Sequence, residues 1–165
     1  NELIEEVGTD AARYFFIMRS LDTQLDFDLD LAKSHSNENP VYYIQYAHAR
    51  IYSIYHQAKE AGVNLDMDWS DVHWDTLKDD QELELIKKMA AFPEEVQRAA
   101  RERAPHRIAH YVYELAGLFH TFYNHCRIIQ EDKELEKARL ALVTAVRITI
   151  ANSLAILGVS APEKM

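Results

Sequence analysis

Four glycines and four prolines in 165 residues leave this chain little material for tight turns. Glycine supplies positive φ and proline interrupts helices, so their scarcity predicts long helices joined by short links. The punctuation that exists falls between periodic apolar runs. Gly8 closes a short helix over residues 3–7, and Thr9 or Asp10 caps the next, through Arg19. Asn39 is a good N-cap, since its side-chain oxygen can accept from free first-turn amides, and Pro40 fits the first helical position. The helix they open reaches about Ala61 and is ended by Gly62. Asp80 caps a helix through Phe92, Pro93 opens another to about Arg103, and Pro105 opens a third. That third helix carries Ile108, Val112, Leu115, Phe119, Phe122 and Cys126 on one side. The last helix runs from about Glu134 to Leu157, with Leu135, Leu142, Val146, Thr149 and Ile156 along one face and Gly158 as its C-cap. Residues 63–76, with Trp69 and Trp74, read as a loop. Only residues 22–30 break the helical pattern: Leu25, Phe27, Leu29 and Leu31 alternate with polar residues, and a period of two predicts a short extended piece. The expectation is an all-α bundle of about five main helices (residues 37–165) behind a short mixed N-terminal appendage (residues 1–36).

Composition excludes several classes. Hydrophobic residues at 48% and charged residues at 27% are those of a globular domain. A chain of this length can bury roughly 70% of its unfolded surface, so it needs no covalent staples. Cys126 is the single cysteine. It rules out an intramolecular disulfide and suits a reducing, cytoplasmic setting. No apolar run reads as long enough to cross a bilayer, and no signal pattern opens the chain, so no membrane partner is expected. The first residue is Asn1 rather than Met, which suggests part of a longer polypeptide. A net charge of −9 argues against binding through long basic surfaces, as to DNA. Any RNA contact would need a local basic and aromatic patch within an acidic whole.

Catalytic patterns are missing from the sequence. There is no Gly-rich phosphate loop, no Gly-x-Ser-x-Gly elbow, no His-Glu-x-x-His pair and no Glu-x-x-His of a di-iron bundle. His106 and His110 are four apart and could share a metal from one helix face. They lack a third ligand, and they read better as surface or interface histidines. Cys126 falls on the apolar stripe and reads as a buried, inert thiol. Asp26, Asp28 and Asp30 lie on one side of the expected extended piece and read as a solvated edge. No catalytic and no metal-binding residue is assigned.

One segment does carry recognition chemistry. On the helix opened by Pro40, Ile44, Ala47, Ile51, Ile54 and Ala58 form a core stripe, while Tyr43, Tyr46 and Arg50 share another at spacings of three and four. Tyr123 and Arg127 are a second aromatic and basic pair, at i and i+4. A tyrosine face can stack an unpaired base while arginine reaches its edge or a phosphate, the usual mode for single-stranded RNA. Tyr43 reads first as a core aromatic. His48 is open between a packing contact and a site residue, and Arg13 reads as an ion-pair partner of the acidic appendage.

The segment Asn39-Pro40-Val41-Tyr42-Tyr43-Ile44-Gln45-Tyr46-Ala47-His48-Ala49-Arg50 resembles the start of the helical anticodon-binding domain of class I arginyl-tRNA synthetases. Four further stretches are similar to the same family: Val7–Phe16, Leu25–Ala32, Leu115–Arg127 (Leu-Ala-Gly-Leu-Phe-His-Thr-Phe-Tyr-Asn-His-Cys-Arg), and the terminus Leu157–Met165. The resemblance implies a DALR-type domain of an arginine–tRNA ligase that binds arginine tRNA at the anticodon, with the appendage touching the inner corner of the L. It implies a site of Tyr46, Arg50, Tyr123, Arg127 and Met165 for a central cytosine, with His48 and Asn124 as further candidates. The family's ATP-handling signatures are not in this sequence. The chain alone should therefore be inactive and need no cofactor, with ATP and magnesium serving the full-length enzyme. A monomer is expected. The alternative is a helical protein–protein interaction module using the tyrosine-rich helix as its contact surface.

Overall fold

The computed structural model describes residues 2–20, 27–66 and 68–165. Its helices are α1 (Glu2–Val7), α2 (Thr9–Ile17), α3 (Leu29–Lys33), α4 (Pro40–Glu60), α5 (Asp80–Ala90), α6 (Phe92–Glu102), α7 (His106–His125) and α8 (Lys133–Leu157). There is no strand among the described residues, and α4 to α8 are the five substantial helices of an all-α bundle. Helix α7 is central, packed against α4, α5, α6 and α8. Its Val112, Leu115, Ala116, Phe119 and Phe122 are fully buried with Ile44, Ala47 and Ile51 of α4 and Leu140, Val143, Val146 and Ile150 of α8. Each large apolar side chain taken from water here contributes about 1.5–3 kcal/mol.

Helix starts follow their local chemistry. The Asn39 side chain accepts from the Val41 and Tyr42 amides, at 3.2 and 3.5 Å. Its amide group donates to Ala32 O and Ser34 O, so the same residue ties α3 to α4. The cap of α5 is Asp79, one residue before the expected Asp80, because Glu82 at the third position completes a capping box. Gly158 takes the left-handed conformation (φ 66°) that ends α8.

Three expectations are corrected. Leu29 and Leu31 belong to α3 rather than to an extended piece: the Asp28 carboxylate caps that helix by accepting from the Leu31 amide, at 2.9 Å. A local cap therefore outweighs a period-two pattern. The rest of that pattern, residues 22–26, lies outside the described residues, and the described part of the appendage is helical rather than mixed. Ile156 is 52% exposed, because the buried face of α8 runs instead through Ile150, Ser153, Leu154 and Leu157. Finally, α8 is long and apolar enough to span a bilayer by length and composition. Half of that stretch is buried against other helices, the pattern of a core helix. The loop at 63–76 contains two short 3-10 turns, Trp69–Asp71 and Trp74–Thr76.

The appendage shares the main core. Ala11, Tyr14 and Phe15 of α2 join the buried cluster, and the Tyr14 hydroxyl donates to Ala109 O of α7 at 2.9 Å. Between α7 and α8 the chain is fixed by a buried ion pair. Arg139 Nε donates to Glu82 at 2.6 Å, while Arg139 Nη1 donates to the Arg127 carbonyl at 2.7 Å. Removing one partner of such a pair strands a buried charge, at a cost of about 3–5 kcal/mol.

Candidate nucleic-acid interface

Helices α4 and α7 place Tyr46, Arg50 and Tyr123 side by side. The Arg50 guanidinium lies between two rings, its Cζ 4.5 Å from the Tyr46 centroid and 4.7 Å from that of Tyr123. Arg50 Nη2 donates to the Tyr46 hydroxyl at 2.7 Å, an i, i+4 contact along α4. Cation–π attraction at a partly exposed position is worth about 0.5–1 kcal/mol per ring, enough to orient a guanidinium without locking it.

His120 stands behind Arg50. Its Nε2 is 3.3 Å from the Tyr43 carbonyl, which can only accept, so Nε2 carries the proton. Nδ1 is then a lone-pair acceptor 3.4 Å from Arg50 Nη1. Burial, reinforced by the Arg50 charge, pushes the His120 pKa down, although the bond to Tyr43 works the other way. A neutral imidazole is what this arrangement requires: protonation would remove the acceptor and set two cations together.

The C-terminal tail completes the walls. Tyr46, Arg50 and Tyr123 line a cleft of about 230 Å³ with Ser53, Glu163, Lys164 and Met165. On the other side of Arg50, Asn124, Asn37, Tyr43 and His120 line a second cleft of about 350 Å³. Beyond Tyr123 a third, of about 380 Å³, is lined by Ile54, Gln57, Cys126 and Arg127.

Of the expected site residues, Tyr46, Arg50, Tyr123 and Met165 therefore meet in one cleft, and Asn124 lies in the adjoining one. Arg127 does not join them. Helix α7 ends at His125, Cys126 is extended, and Arg127 Nε donates to the Ile129 carbonyl at 3.0 Å. The i, i+4 relation assumed for Tyr123 and Arg127 is broken by that helix end. His48 is buried, and its Nδ1 lies 2.7 Å from Pro162 O, beneath the tail. Burial pushes its pKa down, with the Pro162 bond opposing. Arg13 bonds the Gly158 carbonyl at 2.9 Å, so its partner is the end of α8 rather than an acidic group of the appendage. His120, Ser53, Glu163 and Lys164 were missed. Spacing could have found two of them: His120 precedes Tyr123 by three residues, and Ser53 follows Arg50 by three.

Elsewhere, the His106 and His110 rings sit 6.2 Å apart on α7. No group of three or more His, Cys, Asp or Glu placed to hold a metal occurs among the described residues. Burial pushes the Cys126 thiol up to about 11, so it is protonated and unreactive at neutral pH.

The fold and the cleft together define a helical domain in which one arginine, held by a tyrosine hydroxyl and a histidine, lies against two tyrosine rings in a partly open cleft. The chain belongs to the DALR anticodon binding domain family, whose model matches residues 44–165. It is 59% identical to an arginine–tRNA ligase of Carboxydothermus hydrogenoformans over its whole length, and 57% identical to that of Desulforamulus reducens over 164 residues. It spans 29% of the length of each of these relatives. Thermus thermophilus arginyl-tRNA synthetase has a similar structure, with a TM-score of 0.80 at 30% identity, covering 97% of this chain and 27% of that one. Arginyl-tRNA synthetase from Plasmodium falciparum shares the fold, with a TM-score of 0.79 at 24% identity, covering 99% of this chain and 28% of that one.

Proposed function

We propose that this chain is the anticodon-binding part of an arginine–tRNA ligase. In this reading it grips arginine tRNA for ATP- and magnesium-dependent aminoacylation by the rest of the enzyme, as a monomer in the cytoplasm. The observation that carries the reading is the Arg50 guanidinium between Tyr46 and Tyr123, at 4.5 and 4.7 Å, in a cleft that Met165 also lines. A base leaving the anticodon stack gains about 1–3 kcal/mol on such a ring. Cytosine offers acceptors at O2 and N3 that suit the Arg50 donors, so the central anticodon cytosine is assigned to this cleft. Asn124 borders the route of a neighbouring nucleotide. The appendage, through α1 to α3, is assigned to the inner corner of the tRNA. Binding of an arginine-anticodon stem-loop, with cytosine or another base at the middle position, tests the proposal across a salt series. The expected result is a preference for cytosine and an affinity that falls with salt. Equal binding of all four bases would remove the cytosine assignment.

A further inference from the structure

The wall that Glu163, Lys164 and Met165 give to the cleft depends on residues far from it. Five residues before Met165, the Ser160 amide donates to Asp10 Oδ1 of α2 at 3.2 Å. The Ser160 hydroxyl donates to Asp10 Oδ2. Gln45 of α4 fills the corner, its Nε2 donating to Asp10 Oδ2 at 2.8 Å and to Ser160 O at 3.0 Å. Arg13 holds Gly158 O on one side and His48 holds Pro162 O on the other. Every second residue from 158 to 162 is thus tied by a side chain of α2 or α4. A terminal segment is ordinarily frayed. Here three anchors leave only the last three residues to span from Pro162 to the rim of the cleft.

We infer that Asp10 is a positioning residue for the recognition cleft: its carboxylate clamps Ser160 and Gln45 so that Met165 stands against Tyr46, Arg50 and Tyr123. The inference rests on the proposed function for its RNA readout, but not for the placement of the tail. Asp10 and Arg13 lie outside residues 44–165, the stretch that the family model matches. The clamp therefore makes the cleft depend on the appendage, which contributes none of its lining residues.

A double-mutant cycle on the full 165-residue chain tests this. Asp10→Ala and Ser160→Ala are each combined with removal of residues 163–165. The measurements are affinity for an arginine-anticodon stem-loop and the carbon-13 methyl resonance of Met165. Ser160→Ala leaves α2 intact, which guards against a variant that simply unfolds. Asp10→Ala is expected to weaken RNA binding about tenfold, because an unpinned tail must be reordered on binding. Both substitutions should have no further effect once residues 163–165 are gone. In the free protein each should move the Met165 methyl toward its solvent-exposed value. An unmoved methyl resonance in both variants overturns the inference, as does an Asp10→Ala loss that persists undiminished in the truncated chain. If removal of residues 163–165 leaves RNA affinity unchanged, the anticodon reading of the cleft fails instead, and the methyl resonance still decides whether Asp10 holds the tail.

Discussion

Two faces of α4 are made differently. Ile44, Ala47, Ile51 and Ile54 are at most 2% exposed and are held by packing alone. About a third of a turn round the same helix, Tyr42, Tyr46 and Arg50 remain partly open, and Arg50 is oriented by one hydrogen bond, two ring faces and a histidine. The first face tolerates no loss of volume but is indifferent to direction. The second has little burial energy and depends on direction. Stability and RNA affinity should therefore separate between the faces.

The largest effect belongs to the packed face. Ile51→Ala should cost about 2–5 kcal/mol of stability through lost contact and cavity. Denaturant unfolding measures it, and stem-loop affinity under fully native conditions should stay at the starting value. A large affinity loss in a folded Ile51→Ala protein would show that the faces are not independent. The converse change is Tyr123→Ala. Its ring is part-buried on Phe119, so some stability is lost, but less than for Ile51. Stem-loop binding should weaken by about 1–3 kcal/mol, roughly 5- to 150-fold. Normal binding by that variant would remove Tyr123 from the site.

A smaller effect joins the faces through pH. His48 and His120 both have folded pKa values held below the ordinary 6.5 by burial. In the unfolded chain they take up protons first as pH falls, so the unfolded state binds more protons in that window. Stability from these two groups is complete above the unfolded value and declines as pH drops through it toward the folded values. The groups around His120 are Tyr43, Tyr46 and Arg50 from α4 and Phe119 from its own helix, none of them a carboxylate that would stabilise the imidazolium. Unfolding midpoints followed from pH 7.5 downward should therefore fall on acidification, and His120→Gln should flatten the curve. An unchanged slope in that variant would contradict the neutral-imidazole assignment.

What the residues disclosed in advance divides along the same line. The Asn39–Pro40 start, the Gly158 stop and the core stripe of α4 are local patterns, readable because partner and signal lie within one or two turns. The meeting of Tyr46 and Arg50 with Tyr123 was reachable through family resemblance and helical spacing. The clamp on the tail was not, since Asp10 and Ser160 are 150 residues apart and no periodicity links them. His120 was in plain view within Leu115–Arg127, yet its role arises only when α4 brings Arg50 to its Nδ1. The end of α7 was hidden for another reason: neither glycine nor proline marks it, and Cys126 simply turns extended.

That hidden helix end sets the finest test of the comparison. Had α7 continued, Arg127 would stand one turn above Tyr123 and share its ring with the bound base. Instead its Nε is committed to the Ile129 carbonyl, and it is exposed in the neighbouring cleft beyond Tyr123. Under the proposed function Arg127 is assigned to the RNA backbone rather than to a base edge. Arg127→Ala should accordingly have the smallest effect, weakening the stem-loops with different middle bases alike and reducing the slope of log affinity against log salt by about 0.7, one single-strand phosphate contact. A salt-independent loss confined to the cytosine stem-loop would place Arg127 with Tyr46 and Arg50 after all. It would also imply that the link between α7 and α8 rearranges on binding, against the hold of Arg139 on the Arg127 carbonyl.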